Sequence, residues 1–256
     1  MASNNATFTF PTETVTIPSQ GKLYPLDNPL SAGEVEMKYM TAREEDILTN
    51  PNLLKQGLAI EKVLQALIKT PINFNDLLLG DRNGLLIAAR ILAYGASYSI
   101  TYFDPETEVT EKVAIDLTKL LDKKVDFSAY NNTNNFTFEL PFSKNTVTFK
   151  LLTIGDQKEI DAELKGLKKA NLAGGELTTR LKKQITSVNG NSDAKAIREF
   201  VDGYLISKDS IELRLRIAEL TPDVDMSVDF TLSSGKEVLG MELPMTAEFF
   251  FPGSGI

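Results

Sequence analysis

The segment Val35-Glu36-Met37-Lys38-Tyr39-Met40-Thr41 is echoed 112 residues later by Val147-Thr148-Phe149-Lys150-Leu151-Leu152-Thr153. Apolar and polar positions agree. Both stretches alternate as a strand and end on a Thr placed to cap a helix. An acidic residue follows at the third helical position, Glu44 in one and Asp156 in the other, which with the Thr spells a capping box. Further on the offset becomes 128: Asp81 falls on Asp209, Leu85 on Leu213 and Leu92 on Leu220. Tyr98, Ile100 and Tyr102 fall on Met226, Val228 and Phe230, and Val113 and Ile115 on Met241 and Leu243. The extra length lies around residues 170–191, where Gly174-Gly175 and Asn189-Gly190-Asn191 mark loops that absorb insertions. This reads as a diverged internal duplication of a strand–helices–β-hairpin unit. The alternative is a chance alignment of two generic α+β segments.

The expected fold is therefore α+β, with units at 35–117 and 147–243. Residues 118–146 hold a linker and a connecting strand, with the turn-forming Asn131-Asn132-Thr133-Asn134-Asn135 as boundary. Residues 1–34, where Phe8, Phe10, Val15 and Ile17 alternate with Thr and Glu and Pro11 and Pro18 interrupt, read as an extended N-terminal arm or edge strand. Asp81 and Asp209 precede apolar runs and are expected to be N-caps, with Thr41, Glu44 and Thr153, for helices stopped by Gly95 and Thr221-Pro222. One conflict lies at Ile211, Leu213, Leu215 and Ile217, which alternate like a strand. Strong helix formers fill the segment, so a helix is expected. Hairpins are expected at 97–103 with 110–117, and again near 226–243.

The chain has no Cys, His or Trp. That removes disulfides, Cys- or His-based zinc sites, and every triad with His as base. Carboxylate, Lys and Tyr chemistry stays open. Glu44-Glu45-Asp46 reads as dipole complement in a first helical turn rather than as a site. Asp223, Asp225 and Asp229 share one strand face at spacings of two and four, and a solvated face is the expected reading. Lys165, Lys168, Lys169, Arg180, Lys182 and Lys183 form a basic stretch, read as an exposed helical face. Arg90 and Arg214 are expected to pair with carboxylates or to snorkel. No phosphate-binding glycine loop, nucleophile elbow or dinucleotide fingerprint occurs. No catalytic residue, metal or cofactor is expected.

A net charge of −8 disfavours phosphate backbones and anionic membranes, so neither nucleic acid nor membrane is an expected partner, and nor is a small-molecule substrate. No signal-peptide pattern and no apolar run of the ~20 residues that span a bilayer is present. A cytoplasmic site of synthesis is expected. Residues 244–256 form an aromatic tail, in which Phe249-Phe250-Phe251-Pro252 cannot all face one core from a strand. Either the tail is clamped in a groove of its own fold, or it contacts a partner.

Taken in order, Pro18-Ser19-Gln20-Gly21-Lys22-Leu23-Tyr24-Pro25, Met40-Thr41 with Glu44-Glu45, Gly80-Asp81-Arg82, Tyr94-Gly95, Asp209-Ser210 with Leu213-Arg214, and Leu243-Pro244 with Phe249 to Pro252 resemble the baseplate hub proteins of T-even-type contractile-tailed bacteriophages. The resemblance covers most of the chain. It implies a non-enzymatic role in building the tail baseplate hub, as a structural component or an assembly factor. The implied partners are other hub or wedge proteins and the tape-measure protein, and the implied place is the virion tail or the host cytoplasm during assembly. Family members with paired cysteines in the hairpins suggest a metal knuckle. Here the tips are Asp104-Pro105-Glu106-Thr107 and Ser233-Ser234-Gly235-Lys236, so turn chemistry is expected to close each tip. The competing readings are a carboxylate-dependent enzyme using Asp81 or the acidic clusters, and a soluble adaptor unrelated to phage.

Overall fold

The structure, a computed structural model, describes residues 11–170, 175–243 and Phe249. Strand β1 (Thr12–Thr16) pairs antiparallel with β2 (Glu34–Lys38), Val15 opposite Val35. Val35 and Met37 point into the core while Glu34 and Glu36 point out, which is the alternation the sequence carries. The connecting loop buries Ile17, Leu23, Tyr24 and Leu30. It folds back on itself at Gly21, whose φ is +74°; a Cβ there would lie 2.4 Å from the Ser31 carbonyl oxygen. The expected arm is thus, from Thr12 on, part of the globule: β2 supplies its missing ladder partner. Residues 1–10 lie outside the described residues.

Helices α1 (Ala42–Leu48), α2 (Pro51–Gln56) and α3 (Ala59–Leu67) follow. The stripe Val63, Leu64 and Leu67 is buried. Just past α3, Ile68 forms an antiparallel bridge with Met37 of β2. Helix α4 (Leu79–Tyr94) stops at Gly95 (φ +81°) and leads to the hairpin β3 (Ser97–Asp104) and β4 (Val109–Asp116).

The second half opens with β5 (Phe136–Glu139) and β6 (Thr146–Phe149), joined on the far edge by β7 (Ile185–Val188). Phe149 is opposite Ile185. Between them come α5 (Ile154–Lys169) and α6 (Glu176–Gln184). After β7, α7 (Ala194–Glu199) runs into a π-helical turn (Phe200–Tyr204) and then α8 (Ser207–Leu220). The hairpin β8 (Ser227–Thr231) and β9 (Glu237–Glu242) closes the order. The Ile211–Ile217 segment is helical, as propensity and the Thr-Pro stop required. A two-residue alternation within a helix leaves Ile211 and Leu215 outward while Leu213 and Ile217 are buried. Small antiparallel sheets with packed helices make the fold α+β. Buried side chains from both halves, among them Met37, Leu85, Phe149 and Leu213, belong to one core.

Candidate functional site

Buried polar groups are the least comfortable atoms in a core, so each needs a partner. Asp81 is fully buried and accepts from the Ser19 amide (2.8 Å), the Ser19 hydroxyl (2.7 Å) and the Tyr24 hydroxyl (2.6 Å). Tyr24 in turn accepts from the Leu78 amide at 3.0 Å. Burial pushes the Asp81 carboxyl up to about 6 against the pull of those donors. Burial, and then Asp81 itself, holds the Tyr24 phenol well above its ordinary value. The cluster ties the β1–β2 loop to the start of α4.

Asp209 does the same in the second half. Its two oxygens accept from the amides of Phe142 and Ser143, both at 2.9 Å, in the loop between β5 and β6. Burial would raise its carboxyl; the Ser143 and Phe142 bonds outweigh that and hold it low. Both residues differ from the expected caps. Helix α4 begins at Leu79 and α8 at Ser207, so each Asp is the third helical residue and reaches sideways to another segment.

Thr41 and Thr153 stand at the helix entries. The amide and hydroxyl of Thr41 donate to Glu44 Oε2 (3.0 and 2.6 Å), and Lys38 pairs with Glu44 at 2.8 Å. Burial, which alone would raise the Glu44 carboxyl, is outweighed by Lys38 and Thr41, which bring it to about 2. In the other half Thr153 accepts from the Asp156 amide (3.2 Å), and Asp156 accepts from the Thr153 amide (3.1 Å) and from Lys150 (2.7 Å).

The two hairpins pack together, with Tyr102 edge-on to Phe230 at 5.4 Å. Their tips are joined to each other as well as closed by their own turns. Lys236 pairs with Asp104 (2.8 Å) and Glu106 (2.9 Å), and the Ser233 amide and hydroxyl donate to Glu111. Each tip also uses its own turn: Asp104 accepts from Thr107 and from the Glu106 amide, and the Gly235 amide donates to the Leu232 carbonyl at 2.9 Å.

Arg90 meets main-chain carbonyls and aromatic faces where a carboxylate or a snorkelling side chain was expected. Nε donates to the Phe249 carbonyl (2.9 Å), Nη1 to the Gly95 carbonyl (3.2 Å), and the guanidinium lies over Tyr94 and Tyr98. Arg214 donates to the Ser210 carbonyl. Phe249 is fully buried, edge-on to Tyr98 at 4.9 Å, so of the two readings of the tail this residue follows the internal one, and the partner contact proposed for it is not where its ring lies. Phe250, Phe251 and Pro252 lie outside the described residues.

The three aspartates of the 223–229 stretch do not converge. Asp223 accepts from Asn83, Asp225 from Ser227 and Asp229 from the Gly240 amide. The basic stretch is partly spent on ion pairs, Lys182 with Asp202 and Lys183 with Glu159. A cleft of about 670 Å³ lies where the halves meet, lined by Leu79 and Leu152 together with Lys123, Arg180, Arg214, Asp223 and Glu242. Reasoning from sequence missed this cleft, since no local pattern announces a space between distant segments. It also missed the hairpin-to-hairpin ion pair, for which the opposite charges at the two tips were the available signal.

The geometry defines a mixed α+β protein whose buried carboxylates hold its own segments together. The chain belongs to the family described as T4 bacteriophage base plate protein, whose model matches residues 10–251. It is therefore a component of a bacteriophage baseplate, a role that suggests binding rather than catalysis. Neither a curated protein nor a solved structure matches the chain.

Proposed function

We propose that this chain is a hub protein of the contractile-tail baseplate, a structural component or assembly factor that acts through protein–protein contacts. The observation that carries the reading is how its polar and apolar groups are allotted. Asp81, Asp209, Glu44 and Asp156 are buried and engaged by neighbouring segments of the chain. Around the start of α8, in contrast, Phe142, Tyr204, Ile206, Ile211 and Leu215 are exposed. Acidic groups held this way organise a scaffold, and exposed apolar side chains gathered around one helix are what binding surfaces offer. Thr41, Glu44, Asp81, Thr153 and Asp209 are, on this reading, structural.

The partners are other hub or wedge proteins and the tape-measure protein, met in the virion tail or in the host cytoplasm during assembly. Phe250, Phe251 and Pro252 are proposed as part of the contact. The test is mass spectrometry of purified virions, paired with affinity capture of the tagged full chain from infected cells. Hub proteins in the capture, with or without the chain in finished virions, are the expected result. A chain absent from virions that captures no baseplate protein would overturn the reading. Deleting residues 250–256 is expected to leave the fold intact and to weaken capture.

A further inference from the structure

A strand at the edge of a sheet leaves every second N–H and C=O without a ladder partner, and the residues it carries decide whether another strand can use them. The hairpin β3–β4 stands as its own two-stranded sheet. Its register runs without a bulge from Ser97 opposite Asp116 to Asp104 opposite Val109. Just before it, the Leu117 amide donates to the Ala96 carbonyl at 2.9 Å, which makes Ala96 and Leu117 a hydrogen-bonded pair. Alternation then turns the backbone groups of Tyr98, Ile100 and Tyr102 toward β4, and those of Ser97, Ser99, Thr101 and Phe103 away from it. All of the outward residues are exposed, Phe103 by 56%. Among the described residues, no hydrogen bond engages their amides or carbonyls.

The two edges of this hairpin differ. Strand β4 carries Glu111, Lys112 and Asp116, charges of the kind that keep foreign strands off an edge. Strand β3 has no charge, proline or glycine from Ser97 to Phe103, and its Tyr, Ile, Thr and Phe are strong strand formers. The shorter edge strands β1, β5 and β9 hold Glu13, Glu139 and Glu237, and β7, though uncharged, has only 4 residues. In a chain of net charge −8, a neutral edge is where two copies can meet without repulsion.

The strand is also its own complement. Set antiparallel against a second β3 about Ile100, Ser97 falls opposite Phe103 and Ser99 opposite Thr101, in both directions. Every outward residue thus meets an outward residue, and each pair exchanges both of its N–H···O=C bonds. The pairing ends where the strand does, at Gly95 (φ +81°) on one side and on the other at the Asp104 turn, which holds the Glu106 amide and Thr107. On the solvent face the large Phe103 comes opposite the small Ser97. Along the cross-strand rows the order is Thr110, Phe103, then Ser97 and Asp116 of the second copy, and Lys112, Thr101, then Ser99 and Ala114, so no two like charges are opposed. Nothing is asked of Tyr98, Ile100 and Tyr102, whose side chains already lie against their own core.

We propose that β3 pairs antiparallel with β3 of a second copy of this chain, about a two-fold axis at Ile100, so that one continuous sheet β4-β3-β3-β4 crosses the dimer. This is strand addition to an open edge, with the second copy as the added strand. The interface is isologous and closed: each copy spends the same edge, and none is left over for a third. The proposal goes beyond the hub reading and stands apart from it.

The experiment uses the full chain in sedimentation velocity over roughly a hundredfold dilution, the span over which a reversible complex passes from bound to free. The wild type is expected to pass from monomer to dimer and no further. One variant is Ser99→Lys with Thr101→Lys, the other Ser99→Glu with Thr101→Glu. Both side chains are exposed on the solvent face, so circular dichroism is expected to match the wild type. In the proposed register positions 99 and 101 face each other across the axis. Either variant alone therefore opposes like charges, and should raise the concentration at which the chain dimerises by roughly tenfold or more. Their equimolar mixture sets Lys against Glu and should recover a heterodimer at the wild-type concentration or below. Amide exchange at Ser99 and Thr101 of the wild type should slow as the dimer forms, a readout that stands even where a variant misfolds. A wild type that stays monomeric, a folded variant that dimerises like the wild type, a mixture no tighter than its parts, or exchange at both amides that ignores concentration would overturn the proposal. A dimer that captures no baseplate protein would reject the hub reading and leave this one standing; capture by a chain that stays monomeric would do the reverse.

Discussion

Replacing Phe249 by Ala tests whether the aromatic segment is held by the fold itself. The ring is fully buried, and truncating a buried Phe to Ala typically costs about 3–5 kcal/mol. The edge-on contact with Tyr98 at 4.9 Å is of the kind that adds about 0.5–1.5 kcal/mol beyond burial. One effect limits the loss. If Phe249 leaves its site, the cost cannot exceed the free energy of docking it there. Arg90, which is 3% exposed, would lose the Phe249 carbonyl in that event but keep the Gly95 carbonyl and the two aromatic faces. The lower end of the range, about 3 kcal/mol, is therefore expected. For a chain of this size that lowers the melting temperature by about 6–12 °C. The assay is thermal and urea unfolding of the isolated protein, with Phe249→Leu as the milder control. An alanine variant that melts with the wild type would refute the internal contact and return Phe249 to the role of a partner-facing residue.

Three further outcomes follow from the clamps and from two close contacts. Asp81 has a raised carboxyl pKa in the fold, so its contribution to stability is fully present below the ordinary carboxyl range and fades as pH rises through about 6. The stability advantage of wild type over Asp81→Asn should therefore shrink between pH 4 and pH 7, by no more than about 3 kcal/mol; parallel curves in urea titrations would refute it. Gly80→Ala should destabilise by about 1–3 kcal/mol although Ala is the better helix former, because the new Cβ meets the Pro222 backbone carbonyl; an equally stable variant would mean that α4 does not lie so close to Pro222. Lys236→Met should speed amide exchange at Glu106 and Ser233 by loosening the hairpin tips, and unchanged exchange at both would show that the ion pair does not hold them.

Much of the fold was legible because it is written in local signals. The Thr-x-x-acid pattern at Thr41 and Thr153 marks both helix entries, and the Thr221-Pro222 stop together with helix-forming residues settled α8. The errors came where distant segments decide. Asp81 and Asp209 stand before apolar runs as caps do, but an acidic residue also favours the third position of a helix, where it meets the dipole. Sequence alone does not separate the two. What moved the start of α4 upstream is Leu152–Ile154, more than 70 residues away, pinning Leu77 and Leu79. Residues 1–34 read as an arm or edge strand because the strand that pairs with β1 comes only after 17 intervening residues and the side chains buried between them, Ile17, Leu23, Tyr24 and Leu30, carry no period. Arg90 found carbonyls because Gly95, just past the end of α4, and Phe249, far along the chain, both turn their oxygens toward it, which no spacing rule records.

The duplication remains a proposal, and the positions of side chains argue for it more strongly than the sequence echo did. Chance can align an apolar pattern, because strands and helices everywhere repeat with the same two periods. It has less reason to place the same device on the same element twice. Lys38 pairs with the acid of its capping box, and Lys150, its counterpart, pairs with the acid of the other box. Met37 bridges Ile68 just past α3, and its counterpart Phe149 faces Ile185 just past α6. Asp81 and Asp209 each reach from the third residue of the long helix to the loop between the two strands that open their half. The partners within that loop differ, a Ser and a Tyr in one case and two backbone amides in the other, as divergence around a retained carboxylate would leave them. None of these three correspondences is needed for an α+β fold as such, and all three keep their order along the chain. An experimental structure in which the two carboxylates clamp non-equivalent segments, or in which Ile68 and Ile185 pair with unrelated strands, would end the proposal.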